Sequence, residues 1–221
     1  MTYLITFILA FILVLVLVPL ITGLAHRRGW YDAEGGRKIH SGKIPRIGGI
    51  GLFLGFMAAF PLAVLAIQRL YPGQAFPERP FWLLLAVGLG YHGLGLVDDF
   101  RNLSARLKLV LQLLLAILVV AAGFYFRVVE VPVAPYRIQL GFMGPVLTVF
   151  WILGIVNAVN LIDGMDGLAA GISLIGAVVW AVLYFKAGQY LPALAATATA
   201  GAVLGFLFYN FPPATIFMGD S

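Results

Sequence analysis

Five of the nine carboxylates in this 221-residue chain stand at the ends of apolar segments: Asp98 and Asp99 in GLVDDF, Asp163 and Asp166 in NLIDGMDG, and Asp220 in FMGDS. A carboxylate near bilayer depth costs on the order of a few kcal/mol unless it is paired, hydrated or bound to metal. Acids gathered at the rims of such segments point to a divalent-metal site that handles phosphates at a membrane surface. Adjacent carboxylates repel, and a cation between them removes the conflict. Mg²⁺ suits the position because it takes a few carboxylate oxygens and fills its shell with water and phosphate oxygens. Alone, the Asp98–Asp99 pair reads more readily as a hydrated loop that ends a span. The company of the other acids turns it into a candidate site.

NAVNLIDGMDGLAAG carries the densest set of polar groups. Asn157, Asn160, Asp163 and Asp166 step by three, so each neighbouring pair shares a helix face. A straight helix would rotate the set through about half a turn, since three residues advance only ~300°. Gly164 and Gly167 permit a break that brings the late carboxylates back toward the asparagines. Asparagine offers donors and acceptors for ribose, base or sugar hydroxyls, and its oxygen can ligate Mg²⁺. The plainer reading is a polar helix–helix seam capped by a glycine turn. In RKIHSGKIPRIGGIG, Lys38, Lys43 and Arg46 can hold a phosphate at headgroup level, and His40 can donate to it. Gly48, Gly49 and Gly51 would let backbone N–H groups approach the same anion. The same basic residues also serve as a topology signal, and His40 reads more readily as an exposed loop histidine. His92, within a span, is a packing residue. Asp220 sits beyond the last span beside a glycine, placed to complete a metal site; by itself it reads as a frayed terminus.

Those residues hang on elements that composition identifies. Hydrophobic residues make up 62% of the chain, charged residues 10%, and the mean hydropathy is +1.02. Soluble domains carry roughly 25% charged residues, so this is a polytopic helical membrane protein. Seven spans are expected near 2–24, 47–67, 81–97, 107–126, 146–162, 168–185 and 191–208. The first is too long and lacks the preceding basic residue of a cleavable signal. Nine Lys and Arg follow odd-numbered spans and five follow even-numbered ones, which places the odd loops in the cytoplasm and the amino terminus outside. All the acidic turns then face the cytoplasm. The net charge of +5 reads as topology, with no nucleic-acid partner. The absence of cysteine and of an HxxxH pair excludes thiolate sites and disfavours zinc. Residues 127–145 alternate like a small external β-hairpin with Pro132 at an edge. Gly51/Gly55, Gly167/Gly171 and Gly201/Gly205 have the spacing of close helix packing.

Taken together, RKIHSGKIPRIGGIG, GLVDDFRNLSARLKLVLQ, NAVNLIDGMDGLAAG and FMGDS resemble the polyprenyl-phosphate N-acetylhexosamine-1-phosphate transferase family, in family order. The RKIH and VDDF…LS versions look more like its N-acetylglucosamine branch than the branch making the peptidoglycan lipid precursor. The resemblance covers almost the whole chain, which reads as a single transferase domain. It implies a bacterial plasma-membrane enzyme that moves a sugar-1-phosphate from a UDP-N-acetylhexosamine onto undecaprenyl phosphate and releases UMP. By likeness Asp98 and Asp99 are the catalytic pair, and Asn160 and Asp220 bind Mg²⁺, with Mn²⁺ an admissible substitute. Asn157, Asp163 and Asp166 line the nucleotide-sugar pocket, while Lys38, His40 and Arg46 meet the lipid phosphate. A homodimer is compatible with the family. Members usually continue past the GDS motif with further spans and a His-containing loop, so the resemblance implies a chain incomplete at its carboxyl end. Two other classes compete: a cation-coupled transporter, which expects acids at mid-span and internal repeats, and a non-enzymatic assembly subunit.

Overall fold

In a bilayer the main chain finds hydrogen-bond partners only in itself, so long apolar runs become helices. Among its described residues the computed structural model has seven in order: α1 (Thr2–Arg28), α2 (Gly48–Leu70), α3 (Arg79–Arg101), α4 (Ala105–Ala121), α5 (Met143–Ile162), α6 (Leu168–Lys186) and α7 (Tyr190–Asn210). It describes residues 1–31, 44–70, 79–130 and 136–221. Lys38, His40, Lys43 and Pro132 lie outside the described residues. Six of the seven helices are long and apolar enough to cross a membrane. The exception is α4, whose 17 residues end at Ala121, short of the Phe126 expected from hydropathy. At ~1.5 Å per residue it reaches about 25 Å, near the lower limit for a ~30 Å hydrocarbon core. The chain is therefore an all-α polytopic membrane protein.

Helix α1 shows why both helix faces are apolar. Thr6, Ala10, Val14 and Val18 recur every four residues on its buried side. Ile8, Ile12, Val16 and Leu20 recur with the same period on the exposed side. Small side chains face neighbouring helices and large ones face outward, the pattern expected where lipid replaces water.

The chain divides into two compact units, residues 1–76 with 162–221, and residues 77–161. In the first, α1 packs against α2 and α7, and α7 also meets α2 and α6. Two of the three glycine pairs make these contacts close. A Cβ on Gly205 would lie 2.8 Å from the Phe11 carbonyl oxygen, and Gly201 meets the Phe7 main chain in the same way. Gly51 and Gly55 face Val18 and Val14 of α1. The third pair does something else: nothing lies within 4 Å of a Cβ on Gly171, and Gly167 belongs to a turn.

In the second unit α3 packs on α4, where Gly90 faces Leu115 and the Tyr91 hydroxyl donates to the Gln112 carbonyl at 2.8 Å. The expected hairpin is there as two antiparallel three-residue strands, β1 (Val128–Glu130) and β2 (Arg137–Gln139). Glu130 and Arg137 face each other in the register and form an exposed ion pair at 2.9 Å.

Candidate active site

Asp98 and Asp99 lie in the last turn of α3, just before a sharp change of direction into α4 at residues 102–104. Asn102 takes φ +47°, a conformation asparagine tolerates better than most residues. Ser104 caps α4 by accepting from the Leu107 N–H, as its position in NLSARL predicts. The reversal folds α4 back so that Lys108 reaches Asp98. Lys108 Nζ donates to Asp98 Oδ2 at 2.8 Å, and the Leu103 N–H donates to Oδ1 at 2.7 Å. Both oxygens of Asp98 are thus engaged within the turn, and only 11% of its side chain is exposed. Asp99 beside it is half-buried. The role of Lys108 as the specific partner of Asp98 depends on this reversal.

The same unit carries the two asparagines of α5. Asn157 donates through Nδ2 to Gln112 Oε1 at 2.9 Å and to the Leu153 carbonyl at 2.8 Å. Gln112 is 2% exposed and was missed from sequence, although it is the one amide side chain in the apolar run of α4. Its burial requires a partner, and Asn157 supplies one. Asn160 is half-buried, three residues on along α5.

In the other unit the DGMDG turn and the carboxyl-terminal segment form one knot. Helix α5 stops at Ile162 and α6 starts at Leu168, with Gly167 at φ +71°, so the break that the glycines allow does occur. Asp163 is 5% exposed and its Oδ2 accepts from the Gly219 N–H at 3.1 Å. Asp166 Oδ2 accepts from the Ala214 N–H at 2.9 Å. Between them Asn210, also missed from sequence, accepts from the Gly167 N–H and donates to the Ile216 carbonyl. The segment around FMGDS is therefore tied down, and the frayed-terminus reading does not hold.

That segment pairs with the start of α2. The Phe217 N–H donates to the Pro45 carbonyl, and the Gly48 and Gly49 N–H groups donate to the Phe217 and Met218 carbonyls, all at 2.8–2.9 Å. This corrects one expectation: the amides of Gly48 and Gly49 serve the chain's own tail, where an approach to phosphate was expected. Glycine is needed because a Cβ on Gly49 would stand 2.8 Å from the Ser221 carbonyl oxygen. Arg46 lies, half-buried, in the segment that pairs with the tail, and half-buried Asp220 follows directly on the glycine that Asp163 holds. Within this unit Asp163 and Asp166 bond to the carboxyl-terminal segment that contains Asp220, and that segment pairs with the one that contains Arg46. Lys38 and His40 lie outside the described residues.

Among the described residues no three Asp, Glu or His side chains come together as a ready metal cage. Mg²⁺ rarely needs one: it commonly takes one or two carboxylates and completes its shell with water and substrate phosphates. Each unit offers oxygen donors of the right hardness for such an ion, half-buried Asp99 and Asn160 in one and half-buried Asp220 in the other. The donor chemistry fits.

Residues 81–221 match the family model described as glycosyl transferase family 4. The chain belongs to this family. All the candidate acids of this glycosyl transferase family 4 chain, and both asparagines of α5, fall inside the matched segment, whereas Arg46 precedes it. The chain is 39% identical over 203 residues to a probable undecaprenyl-phosphate N-acetylglucosaminyl 1-phosphate transferase of Bacillus subtilis, covering 92% of this chain and 54% of the relative. It is 39% identical over 202 residues to a phospho-N-acetylmuramoyl-pentapeptide-transferase of Geobacillus kaustophilus, covering 85% of this chain and 60% of that relative. The Bacillus subtilis phospho-N-acetylmuramoyl-pentapeptide-transferase is 35% identical over 201 residues. The chain thus spans little more than half the length of the curated relatives it matches.

Proposed function

We propose that this family 4 chain carries the front part of a transferase that moves N-acetylhexosamine-1-phosphate, with N-acetylglucosamine favoured, from a UDP-sugar to undecaprenyl phosphate. The observation that carries the reading is the family match over residues 81–221, which contain both acidic turns and the tail. A phosphate oxygen of the lipid attacks the β-phosphorus of the UDP-sugar. The new P–O bond forms as the bond from that phosphorus to the bridging oxygen breaks, and UMP leaves with the bridging oxygen and its electron pair. One phosphoanhydride replaces another, so no separate energy source is required. The barrier is repulsion between anions, and positioned positive charge lowers it.

We assign residue roles from the resemblance, together with the bonds of Asp98 and Asp163. Asp98, with both oxygens held by Lys108 and the Leu103 N–H, orients the turn, and Asp99 meets the attacking lipid phosphate. Arg46, with Lys38 and His40, receives that phosphate. The resemblance assigns Asn157 and Asp166 to the nucleotide sugar, and Asp163, through Gly219, sets the position of Asp220. The resemblance assigns Mg²⁺ binding to Asp220 and to Asn160, and the ion would supply charge neutralisation for the pyrophosphate when bound. The split of basic residues supports a cytoplasmic reaction face in a bacterial plasma membrane with the amino terminus outside.

The test is Mg²⁺-dependent release of UMP by the full-length protein in membranes, given polyprenyl phosphate and a UDP-sugar. Release with UDP-N-acetylglucosamine is expected; no release from any UDP-sugar sinks the reading, and the transporter and assembly-subunit readings return. A second transferase reading, phospho-N-acetylmuramoyl-pentapeptide transfer, is favoured by the equal identity to the Geobacillus relative. UDP-N-acetylmuramoyl-pentapeptide as the better donor would select it.

A further inference from the structure

Asn210 is the last residue of α7 and 1% exposed, yet it carries an amide that a buried helix end does not need for packing. Its two polar ends do different work. Oδ1 accepts from the N–H of Gly167, the left-handed glycine that opens α6, at 3.1 Å. Nδ2 donates to the carbonyl of Ile216 at 3.0 Å, immediately before FMGD. Gly167 closes the turn that carries Asp163 and Asp166, and both acids reach back to the tail, through Gly219 and Ala214. One side chain thus joins the same two segments that the two carboxylates join. Only a group with an acceptor and a donor on neighbouring atoms can satisfy both partners; a carboxylate would set an oxygen against the Ile216 carbonyl.

We propose that Asn210 is a positioning residue that locks the DGMDG turn to the FMGD tail, so that Asp163, Asp166 and Asp220 are presented as one rigid piece. The two bonds of its amide are the clasp, and the carboxylate bonds to Ala214 and Gly219 close over it. The consequence for catalysis rests on the transferase reading above: a loosened clasp leaves Asp220 in place chemically but misplaced by its backbone. Loss should therefore appear in kcat and in the Mg²⁺ concentration for half-maximal rate, with KM for the lipid acceptor little changed.

The test uses the full-length protein in nanodiscs with two readouts. Hydrogen exchange is read on peptides covering residues 163–168 and 211–221, which needs no activity. For Asn210→Leu, which removes both bonds at similar volume, exchange should rise at least about tenfold in both peptides while α1 stays protected. For Asn210→Asp, which keeps the acceptor for Gly167, only the tail peptide should loosen. Unchanged exchange at either peptide in Asn210→Leu overturns the proposal, as does equal loosening of both peptides in Asn210→Asp. Should Asn210→Leu fail to insert, Asn210→Asp decides by itself: a protected turn with a loosened tail supports the clasp, and any other pattern ends it. In the kinetic arm kcat should fall at least about tenfold in Asn210→Asp, the Mg²⁺ requirement should rise, and KM for polyprenyl phosphate should stay within about twofold. A raised KM with unchanged kcat refutes positioning. If the wild type transfers no sugar phosphate, the functional reading fails while the exchange arm still judges the clasp.

Discussion

Substituting Gly49 by alanine tests the docking of the carboxyl-terminal segment on α2. The new Cβ would stand 2.8 Å from the Ser221 carbonyl oxygen, and closer still to its carbonyl carbon. Ordinary contact begins near ~3.5 Å, so helix and tail must part by about 0.7 Å or more. Parting helix and tail by that amount would stretch the Gly49–Met218 hydrogen bond, 2.8 Å long, toward the edge of bonding. Losing it costs about 0.5–1.5 kcal/mol, and overpacking a close contact costs about 1–3 kcal/mol. Alanine returns up to about 1 kcal/mol through helix propensity, since Gly49 lies in the first turn of α2. The balance is roughly 1–3 kcal/mol against the docked tail, a factor of about 5 to 150 in its opening equilibrium. Hydrogen exchange of residues 211–221 reads that factor through the Phe217 and Gly219 amides, which are bonded when the tail is docked. Gly88→Ala is the control: nothing lies within 4 Å of the added carbon, so tail exchange should not change. Exchange within about twofold of wild type in Gly49→Ala refutes the docking argument.

Lys108→Met removes the charged partner of a mostly buried carboxylate and should lower stability by roughly 1.5–3 kcal/mol, read as a drop in thermal midpoint in detergent. Adding Asp98→Asn should restore part of the loss, because the uncompensated charge disappears; a strictly additive double variant refutes the pairing. Asp98→Asn, Asp99→Asn and Asp220→Asn should each cut UMP release at least about tenfold without loss of membrane insertion, and near-normal rates in all three end the acidic-site assignment. Gly205→Ala should destabilise by about 1–3 kcal/mol because its Cβ meets the Phe11 carbonyl at 2.8 Å, whereas Gly171→Ala, with open space, should be neutral or slightly stabilising. Equal midpoints for the two glycine variants count against the α1–α7 packing argument.

Hydropathy and turn chemistry made much of this protein readable residue by residue. The spans, the Ser104 cap, the break at Gly164–Gly167 and the short hairpin all follow from local preferences, which neighbours in sequence decide. The candidate acids were legible for the same reason: a carboxylate at the rim of an apolar run is conspicuous wherever the run folds. Even α4 was misjudged only in length, because FYF continues the apolar run past Ala121 while Gly123, at φ +93°, does not continue the helix.

What sequence could not supply is who holds whom. Asp163 bonds to an amide 56 residues away, Asp166 to one 48 away, and Asn157 to a glutamine 45 away. Gly48 and Gly49 looked suited to an incoming anion, and the tertiary fold gave their N–H groups to the tail instead. Composition determined a membrane-embedded helical chain and the stock of oxygen donors it carries, because transfer into lipid depends on each segment's own chemistry. Partner choice depends on which distant segments the packing brings within ~3 Å, and only the folded chain settles that.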